Sequence, residues 1–268
     1  VKAVDGFAAM LALKCETDFV ANGKDFIQLT EDILDAAIAA KCKTLDEVKT
    51  LKLANGDDAA TAVQHRSGIT GEKMELDGYD YLEGANISIY DHMGKHTLAT
   101  MVQLSGANEE AGHKVAMQVA AMKPVALDES SVPQSVKDEE FKVAVEKTKE
   151  EMVSKAVDAA LKKAGINPAH VDSEDHIESN TKKGWLTEED AAKAREIKKT
   201  VGEEKAASLN EQMIQNIAKG RLAKFFKEVC LLDQEYIWDK TKTVAQFLNE
   251  VEKGLTVTDF KRFTLRAE

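Results

Sequence analysis

Alternating apolar and polar positions open the chain. Val1 to Val4 reads as a strand, Asp5-Gly6 as a hairpin turn, and Phe7-Ala-Ala-Met-Leu-Ala-Leu13 as the next strand. A helical pattern starts near Lys24, where Phe26, Ile27, Leu29, Ile33, Leu34, Ala37 and Ile38 recur at helical spacing to about Ala40. Between them lies Lys14-Cys-Glu-Thr-Asp-Phe-Val-Ala-Asn-Gly-Lys-Asp25, a strand-to-helix connection of the kind that carries binding residues on a rigid scaffold. Thr17 and Asp18 suit the start of a short helix, because their oxygens can accept the free amides of its first turn. Phe19 and Val20 are large apolar groups on what should be an exposed elbow. Either both turn into the core, or an aromatic wedge faces a partner.

Further on, Thr44-Leu-Asp-Glu47 has the pattern of a capping box, and Asp57 to His65 predicts another helix ended by Gly68. The period then changes. Glu72 to Leu82, Ala85 to His92 and Thr97 to Leu104 alternate, with Gly84 and Gly94 as breaks, and predict three antiparallel strands. With the helices before them they make a first α+β lobe over residues 1–108. Glu109 to Met122 is a helix with Val115, Ala116, Val119 and Ala120 as its buried stripe, ended by Lys123-Pro124. A long charged helix, Asp138 to Ala164, should extend about 40 Å before Gly165 and Pro168 stop it. Thr187 caps a helix through Ile197, and the last long one runs from Glu203 to Lys227.

Residues 138–221 therefore read as a projecting antiparallel helical (coiled-coil) hairpin, with Trp185 near its tip. Beyond it, Val229-Cys-Leu-Leu232 and Tyr236-Ile-Trp238 read as short strands, Val244 to Val251 as a helix and Thr256 to Leu265 as a strand. With the 109–122 helix they predict a second sheet lobe from residues 109–137 and 222–268. The fold class expected is α+β: two small antiparallel-sheet lobes with packed helices, plus the hairpin.

Composition narrows the function classes. The 268 residues are 43% hydrophobic and 31% charged, which suits a folded chain with a real core. A net charge of -11 argues against a general nucleic-acid binder, which needs a basic surface. No apolar run of about 20 residues offers a membrane span. Cys15, Cys42 and Cys230 are odd in number and widely spaced, which points to a reducing compartment. The chain opens directly into strand pattern at Val1, which reads as a start inside a domain, that is, as a fragment.

Chemical motifs are weak. His92 and His96 flank Gly94 but have no nearby cysteine or third histidine to complete a zinc set. Gly68-Ile-Thr-Gly-Glu-Lys73 lacks the spacing of a phosphate-binding loop, so the chain is not expected to hold a nucleotide itself. No nucleophile elbow or Cys/His pair stands out. No cofactor, metal or catalytic residue is assigned, and a hydrolase or transferase is the weaker alternative to a binding protein. A helical-hairpin chaperone or adaptor is the other.

Three ordered blocks carry a resemblance. Glu16-Thr-Asp-Phe-Val-Ala21 resembles the Thr-Asp-Phe-Val signature of the elongation factor Ts family, the guanine-nucleotide exchange factors for elongation factor Tu. Ala116-Met-Gln-Val-Ala-Ala-Met-Lys-Pro124 resembles the family's second run. Gly220 to Gln234, followed by Lys242-Thr-Val-Ala-Gln-Phe-Leu248, matches a third. The resemblance implies a cytoplasmic partner of elongation factor Tu in translation elongation that promotes GDP release and makes no bonds of its own.

It also implies particular contacts. Phe19 would be the wedge entering an apolar gap in the GTPase, with Thr17 and Asp18 fixing the loop and Val20 packing beneath. Leu98 and Ala99 fall on the family's interface strand, where ordinary sheet packing is an equal reading. Gln118 stands where the family often has a histidine aimed at the GTPase, and glutamine can still donate there. Ile237 and Trp238 occupy the place of a second-lobe contact, as a hot spot or as core. The family's N-terminal ubiquitin-associated-like domain and its short C-terminal extension are not seen in this sequence, which implies weaker binding than in an intact protein. Self-association as a homodimer through the hairpin is left open.

Overall fold

The computed structural model describes residues 1–265. The three residues beyond, which the expected second lobe includes, lie outside the described part. Contacts divide the chain into two compact units: residues 1–131 together with 226 onward, and residues 132–225.

The first unit opens with β1 (Lys2–Val4) and β2 (Phe7–Lys14), then α1 (Asp18–Ala21), α2 (Lys24–Ala39), α3 (Leu45–Thr50) and α4 (Ala59–Thr70). It continues through β3 (Glu75–Glu83), β4 (Ile87–Asp91), β5 (Leu98–Leu104) and α5 (Glu109–Met122). Strands β1, β2 and β3 form one antiparallel sheet in that order. The alternation of β2 explains the layers. Phe7 and Ala9 point at Leu34 and Ile38 of α2, whereas Ala8 and Met10 point at Met101, Ile87 and Ile89 of a second sheet. That sheet is covered in turn by α5, whose Val115, Ala116 and Val119 pack on Val102 and Leu104. The unit is thus helix, sheet, sheet, helix, an α+β arrangement with both sheet faces buried.

The second unit holds α6 (Gln134–Lys163), α7 (Glu174–Lys182), α8 (Glu188–Ala207) and most of α9 (Glu211–Val229). Gly202 of α8 faces Val153 and Val157 of α6, and Glu211 at the start of α9 pairs with Lys149 at 3.4 Å, so the chain runs back antiparallel along α6. Val157, Leu161, Ile166, Val171, Ile177, Leu186, Ala191 and Ala194 make its own core. Trp185 stays largely exposed, tilted against His170. Back in the first unit come β6 (Glu235–Tyr236), β7 (Asp239–Thr243), α10 (Val244–Val251) and β8 (Val257–Thr264).

The sheet membership departs from expectation. β4 and β5 do not extend the sheet of β3. They pair with the C-terminal strand, in the order β4-β5-β8. The chain turns from one sheet to the other at Gly84 (φ 126) and Asn86 (φ 61). There Gln103 Nε2 donates to the carbonyls of Glu83 (3.2 Å) and Ala85 (3.1 Å). A Cβ at Gly84 would overlap that amide, so glycine is needed both for space and for its positive φ.

Other boundaries also differ. α4 runs through Gly68 to Thr70 and stops at Gly71 (φ 74), which supplies the left-handed cap. α8 continues across Thr200-Val-Gly202 because that stretch packs on α6, and the real break comes at Ser208 to Asn210, where Asn210 Oδ1 accepts the Met213 amide at 2.9 Å. Val229 ends α9, and residues 231–233 form a single 3-10 turn rather than a strand. Ile237 and Trp238 form the two-residue turn joining β6 to β7.

Candidate partner-binding site

The connection after β2 is built from its caps. Thr17 is extended (φ −125, ψ 151), and its Oγ1 accepts the Val20 amide at 3.3 Å, which starts α1. Asn22 closes the turn by donating its side-chain amide to the Asp18 carbonyl at 2.7 Å, and the Gly23 amide reaches the Val20 carbonyl at 2.9 Å. With four residues and one turn, α1 can send only one of its two large apolar groups inward. Val20 is half-buried against the cluster of Leu13, Phe26 and Ile33. Phe19 points the other way and is 94% exposed. A phenylalanine so bare exposes a large apolar area to water for no folding benefit.

A residue that the sequence places only at the start of a strand, ahead of where β3 begins, supports this finger. The Glu72 carboxylate, just past the cap of α4, accepts the Glu16 amide (3.2 Å), the Thr17 amide (3.0 Å) and the Thr17 hydroxyl (2.6 Å). No local signal could reveal it, since 55 positions separate it from Thr17. Burial pushes the neighbouring Cys15 thiol above its ordinary pKa, and the Glu72 charge adds to this, so the thiol is not activated.

Asp18, Leu98 and Ala99 line one cleft of about 730 Å³, with Phe26 and Ile27 of α2 and Phe263 of β8. Leu98 pairs with Thr264, and Ala99 pairs with both Asp91 and Phe263. β5 is therefore the central strand of its sheet. It can offer side chains to a partner but no free edge for strand addition. Leu98 and Ala99 are both half-buried, so each keeps some surface on the cleft.

Gln118 requires a correction. It is fully buried and faces no solvent, so it has no surface for a contact. Its Oε1 accepts the Ile237 amide at 2.9 Å, while Nε2 donates to the Glu235 carbonyl (3.0 Å) and to Gln234 Oε1 (3.3 Å). Gln234, also buried, donates onward to the carbonyls of Met122 (3.1 Å) and Glu228 (2.9 Å). An amide at 118 is what this cavity requires: one acceptor and two donors, all matched. Its effect is to hold the turn that carries Trp238, which is 47% exposed and rests tilted on Tyr236 at 5.2 Å between ring centres. Ile237 is half-buried in the same turn.

The predicted residues thus fall into two groups. One is the finger with its cleft, Thr17 to Val20 with Leu98 and Ala99. The other is the β6–β7 turn braced by Gln118. Among the described residues no group of His, Cys, Asp and Glu is arranged to hold a metal ion. His92 is bonded to the Tyr90 hydroxyl at 2.9 Å, and His96 lies against Asp91. The Gly68 to Lys73 segment is a helix end and its cap. Among the described residues no helix is long and apolar enough to cross a membrane.

Comparison with known proteins covers the same region. The family described as Elongation factor TS matches residues 16–267. The Elongation factor Ts of Phocaeicola vulgatus is 63% identical over 98% of this chain and 79% of its own length. That of Bacteroides fragilis is 63% identical over 100% of this chain and 81% of its own. The Porphyromonas gingivalis protein of the same name is 36% identical over 98% of this chain and 76% of its own. A family match that begins at the finger and runs through β8, with relatives this similar across nearly every residue, leaves one assignment: the chain belongs to the elongation factor Ts family of translation elongation factors.

Proposed function

We propose that this chain binds elongation factor Tu in its GDP-bound form and accelerates release of the nucleotide. The single observation that supports this reading is Phe19, presented almost wholly to solvent on a capped turn. Exchange is a matter of differential binding. The factor holds the empty, distorted GTPase more tightly than the nucleotide-bound one, and by linkage the nucleotide is then held less tightly. The nucleotide's phosphates are gripped by short backbone hydrogen bonds and a magnesium ion, so a small displacement of that cradle forfeits much of the grip. Phe19 is the wedge that makes the displacement, and the cleft beside it, with Asp18, Leu98 and Ala99, seats the surface it enters. The Ile237–Trp238 turn supplies a second contact. None of these steps makes or breaks a covalent bond, so the site needs no nucleophile or general base.

Burying a phenylalanine in an apolar gap contributes about 2–3 kcal/mol, or roughly 30- to 150-fold in an equilibrium constant. Phe19→Ala is therefore expected to slow stimulated release of fluorescent GDP from elongation factor Tu by about that factor. Its melting profile should match the native one, because the ring touches almost nothing in the free chain. Unchanged GDP release would refute the reading.

A further inference from the structure

We propose that Glu72 is the positioning residue of the Phe19 finger, holding it in its binding shape before any partner arrives. This rests on the reading of Phe19 as the wedge. A helix of one turn does not hold itself in water, since nucleation fixes several residues for a single hydrogen bond. α1 spans only Asp18–Ala21 and buries no residue fully. Something outside it must order the turn.

The Glu72 carboxylate is placed to do so. Its Oε2 takes the amides of Glu16 and Thr17, the last two residues before the helix, and its Oε1 takes the Thr17 hydroxyl at 2.6 Å. That same hydroxyl oxygen accepts the Val20 amide, so one oxygen links the acid to the first turn of α1. The order of the bonds is directional: the acid orients the hydroxyl, and the hydroxyl caps the turn on which Phe19 stands.

Glu72 is itself anchored through its backbone. Gly71 takes φ 74 as the cap of α4, the Glu72 amide reaches Thr70 Oγ1 at 3.3 Å, and the Ser67 hydroxyl donates to the Glu72 carbonyl at 2.6 Å. These bonds persist when the side chain is shortened, so the end of α4 keeps its form while the finger loses its support. The side chain is half-buried at the surface and belongs to none of the apolar clusters of the core. Glutamine keeps most of the arrangement: its carbonyl oxygen accepts the two amides, and its nitrogen donates to the Thr17 oxygen, which has a free lone pair.

Two measurements on Glu72→Ala and Glu72→Gln test this. The first is the rate of chymotrypsin cleavage after Phe19 in the free chain, read by mass spectrometry against cleavage at other aromatic residues. Proteolysis needs the turn to open, so its rate reports the finger's order without any partner. The second is GDP release from elongation factor Tu over a range of factor concentrations, giving a half-saturating concentration and a plateau rate.

Glu72→Ala is expected to cleave several-fold faster at Phe19 alone, to raise the half-saturating concentration about tenfold, and to leave the plateau rate within about twofold. Glu72→Gln should stay close to native in both assays. Native cleavage at Phe19 in Glu72→Ala overturns the proposal, and a raised half-saturating concentration alongside it would make Glu72 a direct partner contact instead. Faster cleavage at every site, or Glu72→Gln as impaired as Glu72→Ala, also overturns it. If Phe19→Ala leaves GDP release untouched, the exchange reading fails, and the cleavage comparison still decides what Glu72 does.

Discussion

Replacing Gln118 by leucine tests whether its buried amide braces the β6–β7 turn. The two side chains are close in volume, so the packing change is small. The polar change is not. Leucine leaves the Ile237 amide and Gln234 Oε1 without the partners they now have at 2.9 and 3.3 Å, and takes the 3.0 Å donor from the carbonyl of Glu235, an exposed residue that water can reach. An orphaned buried polar group costs about 1–3 kcal/mol. The turn carrying Ile237 lies near the surface, where water can reach the freed amide, so the lower part of the summed range applies, about 2–3 kcal/mol. The two tryptophans make the assay local. Trp185 belongs to residues 132–225, whereas Trp238 sits on the braced turn. In a Trp185→Phe background, urea unfolding followed by tryptophan fluorescence therefore reports the first unit. The expected result is a lowered midpoint with an unchanged slope. A loss below about 0.5 kcal/mol would refute the claim that the buried amide, and not shape alone, holds the turn.

The remaining predictions concern the scaffold. Burial raises the Asp80 pKa, with Asp259 adding to the shift and Lys261 opposing it. A carboxyl that binds its proton more tightly when folded stabilises the protein below the ordinary aspartate range, and that contribution is lost as pH rises through its folded pKa. Asp80→Asn should therefore raise the denaturation midpoint at about pH 7 and leave it nearly unchanged at about pH 3. An equal gain at both would show that the charge is not the cause. Gly112→Ala puts a methyl into Ser88 Oγ and 3.0 Å from Ser88 Cβ, where α5 packs against β4. It is expected to destabilise by about 1–2 kcal/mol in spite of alanine's better helix propensity, and Ser88→Ala in the same chain should recover part of this on a urea curve.

Local features were readable from the residues alone. The periodic stripe of α2, the capping box at Thr44 and Glu47, and the Thr17 cap all depend on neighbours a few positions apart, and all are present. What escaped depends on long-range geometry. Strand alternation says which face is apolar but not which strand lies alongside, so it groups β4 and β5 with β3, whereas β5 pairs with β8. Gly68 and Gly71 differ only in where the chain must turn left-handed, which sequence does not mark. Thr200-Val-Gly202 has poor helix propensity, yet the approach of Val153 and Val157 keeps it helical. At the site the ring of Phe19 points outward, so the reading that turns it into the core does not hold. Gln118 and Glu72 could not be judged without their distant partners, Ile237 and Thr17.

The order in which a ribosome makes this chain gives the β4-β5-β8 sheet a temporal meaning. Its closing contacts reach far back in sequence: the Thr256 amide meets Ser105 Oγ across 151 positions. At about 5–20 residues per second, about 8–30 s pass between the emergence of β5 and that of β8. During that time β5 has one bare flank, open to mispairing, while residues 132–225 can already assemble around their own core. The strand bearing Leu98 and Ala99 is sealed only when Val257 to Thr264 arrives. A chain that lacks β8 therefore never carries the complete cleft, because Phe263 of that strand forms part of its wall.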